Sequence, residues 1–146
     1  FLSVDVGDKR TGFAGGVDGS GVVTPVGGRE IRVTPGGELT GLVELIAKEV
    51  ADADADTVAI GLPLNMDGTV GPRAEHARAV GIAVRSGVSR AIEVVLVDER
   101  KTSEAADELM SQSGLTHGQK KMRRDALAAM AIGWVRLERG PTERVV

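Results

Sequence analysis

Apolar residues along this chain fall into short compact runs and into longer stretches with helical spacing. Three compact runs, at 1–6, 57–62 and 92–97, are almost continuously apolar, which is typical of strands buried on both faces of a sheet. Two shorter strands are predicted near 11–17 and 21–28, and the glycine-rich turns that separate them favour an antiparallel meander with the first strand. The pattern therefore predicts five strands.

Helices are predicted where apolar residues recur every three or four positions. These stretches lie at about 37–51, 73–85, 102–113 and 119–139. Strands that alternate with helices join a sheet in parallel, through right-handed crossovers. We therefore expect a single α/β domain over 1–146, with a five-stranded mixed sheet flanked by helices. In this sheet an antiparallel three-stranded meander is followed by two parallel strands.

The composition changes this picture little but excludes several classes of protein. With 42% hydrophobic and 27% charged residues, the 146-residue chain has the make-up of a soluble globular domain. No apolar stretch is long enough to span a bilayer, and no secretory signal pattern opens the chain. The absence of cysteine excludes disulfide frameworks, thiolate nucleophiles and cysteine-ligated zinc. We expect a cytoplasmic location and no membrane partner.

The net charge of −3 hides an uneven distribution. Residues 115–146 carry seven Lys or Arg and three Asp or Glu, whereas residues 1–114 carry eleven and eighteen. Four cations of the C-terminal part form one basic cluster: Lys120, Lys121, Arg123 and Arg124. Such a cluster can bind phosphates although the whole chain is acidic, and the alternative is a solvated helix start. Three aromatic residues are too few for a base-stacking platform.

Acidic residues stand at two predicted buried strands. Asp5 lies inside the first strand, where an ionised carboxylate is costly unless it is paired or binds a cation. The alternative for Asp5 is a hydrogen bond to the following turn. Asp98 and Glu99 end the strand at 92–97, and ligands gather beyond the carboxyl ends of parallel strands. Because side chains alternate along a strand, only one of these two can face the side that Asp5 faces, and ordinary strand-end polarity is the simpler interpretation of Asp98.

A third acid, Asp125, lies in the last predicted helix beside its buried stripe, where several alanines would let the helix approach the sheet closely. The alternative is an interaction with the helix dipole, although this helix begins about six residues earlier. Together, Asp5, Glu99 and Asp125 form an oxygen-rich set of the kind that binds Mg²⁺ or Mn²⁺. Two such ions, roughly 4 Å apart, can activate a water molecule and stabilise the leaving oxygen of a phosphodiester. With two histidines and no cysteine, zinc has little support.

A long loop follows the strand at 57–62. Pro63 cannot donate to a strand ladder, and Asn65 and the Asp67–Gly68 pair supply turn chemistry. A simple connection is one interpretation of this loop. Its length of about ten residues is unusual for that purpose, and long loops on rigid sheets often carry function.

Four motifs follow one another along nearly the whole chain. They are Asp5–Gly12 (DVGDKRTG), Gly61–Arg73 (GLPLNMDGTVGPR), Val97–Thr102 (VDERKT) and Asp125–Ala129 (DALAA). In these motifs the chain resembles the YqgF (RuvX) family, the small RNase H-fold relatives of Holliday junction resolvases. The resemblance implies an RNase H-like fold, in agreement with the mixed sheet predicted above.

The resemblance also implies a metal-dependent nuclease. Its catalytic and metal-binding acids would be Asp5, Glu99 and Asp125, with Mg²⁺ or Mn²⁺ as cofactor and two ions expected. Members of the family are described as junction resolvases and as nucleases that mature the 5′ end of precursor 16S ribosomal RNA. Junction resolvases place a glutamate at the end of the strand occupied here by Ile60–Leu62. This chain has no acid there before Asp67, so Glu99 would take that role from the neighbouring strand.

Contacts with nucleic acid are implied as well. The expected residues are Lys9, Arg10, Asn65, Arg73, Arg100 and the basic cluster of Lys120, Lys121, Arg123 and Arg124. For each cation the alternative is a solvated surface position. Precursor ribosomal RNA or branched DNA would be the partner, and resolvases suggest a homodimer.

Other functions stay open at this point. The expected activity is cleavage of precursor 16S ribosomal RNA, and the alternatives are junction resolution in recombination and RNA binding without catalysis during ribosome maturation. A nucleotide-handling enzyme of the actin and sugar-kinase type also begins with a strand Asp followed by Gly. That class needs two such domains, whereas this chain has room for one and contains no Walker A sequence.

Overall fold

The structure is a computed structural model that describes residues 1–34, 36–100 and 117–146, with side chains from 124 onward in the last range. Its strands and helices are, in chain order, β1 (Leu2–Val6), β2 (Arg10–Gly16), β3 (Val23–Glu30), α1 (Thr40–Ala53), β4 (Thr57–Leu62), α2 (Pro72–Gly87), β5 (Glu93–Asp98), α3 (His117–Arg139) and β6 (Glu143–Val145). The helix predicted near 102–113 lies outside the described residues. Within them, no helix combines the length and the apolarity needed to cross a membrane.

The strands form one mixed sheet in the order β3-β2-β1-β4-β5-β6. β1 pairs antiparallel with β2, and β2 with β3, while the β1–β4 and β4–β5 pairs are parallel. The predicted meander followed by parallel strands is therefore confirmed. The predicted number of five strands is too low, because β6 pairs antiparallel with the outer edge of β5. Its three residues contain no apolar run that the sequence pattern could detect.

The first helix begins later than predicted. α1 starts at Thr40, whereas apolar spacing predicted a start near 37. Gly36 has a φ of 77°, and the N–H of Gly37 donates to the carbonyl oxygen of Thr34 at 2.8 Å. This segment is therefore a turn, and the turn sets the boundary of the helix that the spacing identified.

One face of the sheet is covered by α1 and α2 and forms the main core. Its strand side chains are large and apolar, with Leu2 of β1, Ile60 of β4 and Leu96 of β5 almost completely buried. Helix residues such as Ile46 and Val80 pack against them. Burial of this apolar surface is the dominant favourable contribution to folding.

The opposite face is covered by α3 and is lined by small side chains. Ala14 of β2 packs with Ala129 of α3, and Ala59 of β4 packs with Ile132. The hydroxyl of Ser3 donates to the carbonyl oxygen of Ala129 at 2.6 Å. Small residues on both surfaces therefore allow α3 to lie directly on the strands.

An ion pair between a partly exposed arginine and a buried glutamate joins β3 to α1. Nη2 of Arg29 lies 3.2 Å from Oε1 of Glu49, and Glu49 is only 3% exposed. Loss of Arg29 would leave this charge without its partner in the core. The pair between Arg90 and Asp54 is 2.8 Å long but lies at the surface, since the Asp54 side chain is 90% exposed.

The two pairs should differ in their effect on stability. Arg29→Met should lower the free energy of unfolding by about 2 kcal/mol, because the carboxylate of Glu49 loses its cation. Arg90→Met removes an exposed pair and should change the free energy of unfolding by less than about 0.5 kcal/mol. Urea unfolding followed by circular dichroism measures both values, and equal effects would contradict this assignment.

Candidate active site

The three acids predicted from the sequence come from elements that meet on the α3 face of the sheet. Asp5 is the penultimate residue of β1, Glu99 directly follows β5, and Asp125 lies in α3. Because β1, β4 and β5 run parallel, their carboxyl ends lie at one edge of the sheet. Glu99 lies two residues after Val97, so the two side chains should point to the same face of the sheet. Val97 packs against α3 on that face.

Asp5 and Glu99 are joined by a side-chain hydrogen bond in a partly buried position. Burial is the main reason that the pKa of Asp5 is raised to about 6, and the charge of Asp125 adds to this effect. Burial, followed by the charge of Asp5, raises the pKa of Glu99 to about 8. The guanidinium of Arg73 opposes both shifts. At neutral pH the protonated Glu99 therefore donates to the ionised Asp5.

The carboxylate of Asp125 faces Arg10 at the start of β2. Nε of Arg10 donates to Oδ2 of Asp125 at 2.5 Å, and the two side chains are 15% and 21% exposed. Arg10 is one of the residues predicted from the sequence to contact nucleic acid. In the structure its guanidinium binds the third acid of the site and holds that acid beside the sheet.

Glycines on β2 and β3 make room for Asp125. Gly12 lies opposite Asp5 in register, and Gly28 lies opposite Gly12. A Cβ on Gly12 would overlap the carbonyl oxygen of Asp125, and one on Gly28 would lie 2.7 Å from its Oδ2. From the sequence alone, Gly12 is only the last residue of the first motif. The missed signal is that strand glycines sharing the face of a buried acid permit a close approach of another element.

A third glycine, Gly61 near the end of β4, makes room for Glu99. A Cβ at this position would overlap Oε2 of Glu99 and would lie 2.7 Å from Cδ1 of Ile132. The carboxylate of Glu99 therefore occupies the space above β4, although its backbone belongs to the end of β5. The neighbouring Asp98 instead accepts hydrogen bonds from Arg100.

The loop after β4 is held by its own polar side chains. Asn65 donates from its backbone to the carbonyl oxygen of Thr69 at 3.0 Å and from Nδ2 to the Thr69 hydroxyl at 2.9 Å. The backbone N–H of Thr69 donates to Oδ1 of Asp67 at 2.9 Å. Asn65, which was expected to bind nucleic acid, is engaged in shaping this loop.

Arg100 links the same loop to the end of β5. Its Nε and Nη2 donate to Oδ2 of Asp98 at 2.9 and 2.7 Å, and its Nη1 donates to the carbonyl oxygen of Met66 at 3.2 Å. Much of its charge is therefore neutralised by Asp98. Of the other expected phosphate contacts, Lys9 and Arg73 are exposed. Arg73 also lies near enough to the acids to lower their pKa values.

The basic cluster belongs to the first part of α3, on the N-terminal side of Asp125. The side chains of Lys120, Lys121 and Arg123 lie outside the described residues, and Arg124 is exposed. The cluster is thus carried by the helix that brings the third acid to the sheet.

In the described part of the chain, no three acidic or histidine side chains are already arranged around a single ion position. Asp5 is bonded to Glu99, and Asp125 is bonded to Arg10. The donor chemistry nevertheless fits a hard divalent cation, because carboxylate oxygens are the ligands that Mg²⁺ and Mn²⁺ prefer. Burial keeps this carboxyl pair partly protonated. An added positive charge would strongly stabilise its ionised form.

Comparison with solved structures identifies the fold. The chain matches T. thermophilus RuvC in complex with a Holliday junction substrate with a TM-score of 0.59 and 12% sequence identity, over 99% of this chain and 98% of that chain. A second Thermus thermophilus RuvC structure matches with a TM-score of 0.52. The protein is therefore an α/β protein of the RNase H-like class, and the predicted fold class is confirmed.

Comparison of sequences identifies the family. A family model described as RuvX, Holliday junction resolvase, matches residues 1–134. Curated relatives named "Putative pre-16S rRNA nuclease" include one from Anaeromyxobacter sp. (strain K), 34% identical over 92% of this chain and 94% of its own length. A second, from Bacillus cytotoxicus, is 30% identical over 90% of this chain and 93% of its own length. The chain belongs to the RuvX family, and with its fold this makes it a nuclease, a hydrolase of phosphodiester bonds.

In buffer without divalent cations, the free energy of unfolding should fall as the pH rises from about 4 to about 8. The native pKa values of about 6 for Asp5 and about 8 for Glu99 lie above those of an unfolded chain, near 4. The native state therefore keeps protons that the unfolded state releases. The resulting stability is fully present below the unfolded pKa and is lost as the pH rises through the native values.

Glu99→Gln should remove much of this pH dependence. The variant should exceed the wild type in stability by on the order of 2 kcal/mol at pH 9 and should nearly equal it at pH 4. Glu138→Gln, at an exposed position of α3, is the matched control and should follow the wild type. Urea unfolding across this range measures the effect. A Glu99→Gln profile parallel to that of the wild type would refute the buried pair.

Gly61→Ala should displace the carboxylate of Glu99, because the new methyl group would occupy the position of Oε2. We expect cleavage of nucleic acid to fall by about 100-fold, as is common for displacements of about 1 Å in an active site. Gly41→Ala, at an exposed position of α1 with no neighbouring atom closer than 3.9 Å, is the control and should keep full activity. Full activity of Gly61→Ala, with an unchanged fold by circular dichroism, would contradict the arrangement.

Proposed function

We propose that this protein is a metal-dependent endonuclease that cleaves structured RNA and matures the 5′ end of precursor 16S ribosomal RNA in the cytoplasm. The proposal rests on the hydrogen-bonded carboxyl groups of Asp5 and Glu99 at the carboxyl ends of β1 and β5, and on the charge of Asp125 in α3, which adds to the raised pKa of Asp5. The curated relatives, which bear the name of a pre-16S rRNA nuclease, support this choice of substrate.

Asp5, Glu99 and Asp125 would hold one or two Mg²⁺ or Mn²⁺ ions. Such ions, when bound, activate a water molecule as nucleophile and stabilise the leaving oxygen of a phosphodiester. The raised pKa values of Asp5 and Glu99 support this assignment, because burial and then the neighbouring carboxylates disfavour the ionised forms, which a bound cation would stabilise. Above its pKa of about 8, or earlier when a cation is near, Glu99 would release its proton from the carboxyl that now donates to Asp5.

The residues around the acids would orient the site and attract its substrate. Arg10 would fix the direction of the Asp125 carboxylate through its 2.5 Å hydrogen bond. Arg73, exposed beside the acids, would attract the phosphate groups that approach them, together with Lys9 on the other side of β1. Long-range attraction by such exposed cations should weaken as the salt concentration rises.

A non-catalytic RNA-binding role is less consistent with the structure. The buried pair of Asp5 and Glu99 costs stability, since burial disfavours its ionised form. A protein that only bound RNA would need positive charge at this place. Perturbed acids at the edge of a sheet are instead typical of catalytic sites.

Junction cleavage is the second candidate function. The family description as Holliday junction resolvase and the likeness to a RuvC complex both favour it. The absence of an acid at the end of the strand over Ile60–Leu62, where junction resolvases place a glutamate, disfavours junction cleavage. Formation of a homodimer, which a two-fold junction would require, stays a prediction.

Asp5→Asn should reduce Mn²⁺-dependent cleavage of a precursor 16S ribosomal RNA fragment by at least about 100-fold, since the site loses a central carboxylate. The fold should persist, because an amide can still accept the hydrogen bond from Glu99. Asp52→Asn removes the same charge from an exposed position of α1 and should keep full activity. Gel analysis of end-labelled RNA measures both variants.

The same assay should include a four-way DNA junction. Preferential cleavage of the RNA is the expected result, and preferential cleavage of the junction would favour the second candidate. Undiminished cutting by Asp5→Asn, in a preparation free of other nucleases, would overturn the proposed site.

A further inference from the structure

A cleft of about 470 Å³ lies at the outer edge of β5, close to the acids. One side is formed by the loop after β4 and the end of β5, and the other by the end of α3 and the turn into β6. The principal lining residues are Met66, Asp98, Arg100, Val135, Arg139 and Thr142. Its volume is within the range of pockets that hold small organic ligands.

The cleft adjoins the acidic site through two connections. Asp98 and Arg100, which line the cleft, are the chain neighbours of Glu99. Val135 follows Ile132 by one turn of α3, and Ile132 crowds Gly61 together with the carboxylate of Glu99. A ligand in the cleft would therefore lie beside Glu99.

The walls of the cleft are fixed by hydrogen bonds. The backbone N–H of Thr142 donates to the carbonyl oxygen of Leu96, and the Thr142 hydroxyl accepts from the N–H of Asp98, both at 2.8 Å. Gly140 ends α3 with a φ of 78° and donates to the carbonyl oxygen of Arg136 at 2.8 Å. Since the Thr142 oxygen accepts the bond from Asp98, its own proton stays available to a ligand.

Two further features indicate the chemistry of the ligand. Arg139 is exposed and makes no hydrogen bond or salt bridge among the described residues, and its charge is near enough to Asp98 to help lower the pKa of that carboxyl group. Met66 is 72% exposed although its side chain is apolar. The cleft thus offers guanidinium N–H donors of Arg139 for a phosphate, and apolar surface from Met66 and Val135 for a base.

We propose that this cleft is a subsite for the nucleotide next to the cut phosphodiester, with its phosphate on Arg139 and its base against Met66 and Val135. The proposal rests on the proposed nuclease function. The family match ends at residue 134, before Val135, Arg139 and Thr142.

The test measures RNA binding by the full chain in EDTA, so that it does not depend on cleavage. The probe is a fluorescent fragment that spans the 5′ end of precursor 16S ribosomal RNA. Arg139→Ala should weaken binding by about tenfold and reduce the slope of log affinity against log salt by about 1. Arg85→Ala is the matched control, because Arg85 is also an exposed cation in the last turn of a helix, α2.

Truncated probes locate the subsite. Two shorter RNAs, each lacking the nucleotides on one side of the cut, should respond differently. The effect of Arg139→Ala should vanish with one of them and persist with the other. If the effect of Arg139→Ala persisted with both shorter RNAs, or if Arg139→Ala and Arg85→Ala bound RNA equally, the subsite would be overturned.

Two controls accompany this test. Circular dichroism should show the same melting temperature for both variants, and Arg139→Glu should weaken binding further than Arg139→Ala.

Failure of the subsite and failure of the nuclease function can be told apart. If the wild type cleaves RNA but Arg139→Ala behaves as Arg85→Ala does, the subsite is wrong and the nuclease function stands. If the wild type binds RNA without cleaving it in Mn²⁺, the nuclease function is wrong and binding still decides the role of Arg139. No RNA binding by the wild type would overturn both.

Discussion

The close approach of α3 to the sheet is the interaction on which the site depends. Its backbone is tied to β1 where the hydroxyl of Ser3 donates to the carbonyl oxygen of Ala129 at 2.6 Å. Gly12 and Gly28 then leave no side chain between the strands and the turn of α3 that carries Asp125. Larger side chains at these positions would lift the helix, and the third acid would move away from Asp5 with it.

This approach also concentrates negative charge, and the other face of the sheet supplies the stability that the charge removes. Burial raises the pKa values of Asp5 and Glu99, so their ionised forms oppose folding. The opposite residues of the same strands, such as Leu2, Ile60 and Leu96, are almost completely buried under α1 and α2. Successive side chains of each strand point to opposite faces of the sheet. The core therefore lies on one face and the acidic site on the other.

The sequence was informative where structure follows from local pattern. Strand alternation, a property of a single strand, limited the partner of Asp5 to either Asp98 or Glu99, and the resemblance to the family then favoured Glu99. It could not predict that Arg10 binds Asp125, 115 residues away, since that contact depends on how the last helix docks. The strand β6 was missed for a similar reason: its three residues become a strand only because the edge of β5 is open to pairing.

The end of β5 connects the acidic site to the cleft through three consecutive residues. Glu99 faces α3, while Asp98 and Arg100 bind each other and form part of the cleft wall. A nucleotide held in the cleft would restrain the backbone that places Glu99, so substrate binding and the position of the acid would be coupled. The position of an acid at residue 61 of β4 would not depend on a ligand in the cleft, because this residue does not line the cleft. By leaving Gly61 without a side chain and supplying the carboxylate from β5, this chain places one of its acids on the segment that also lines the cleft.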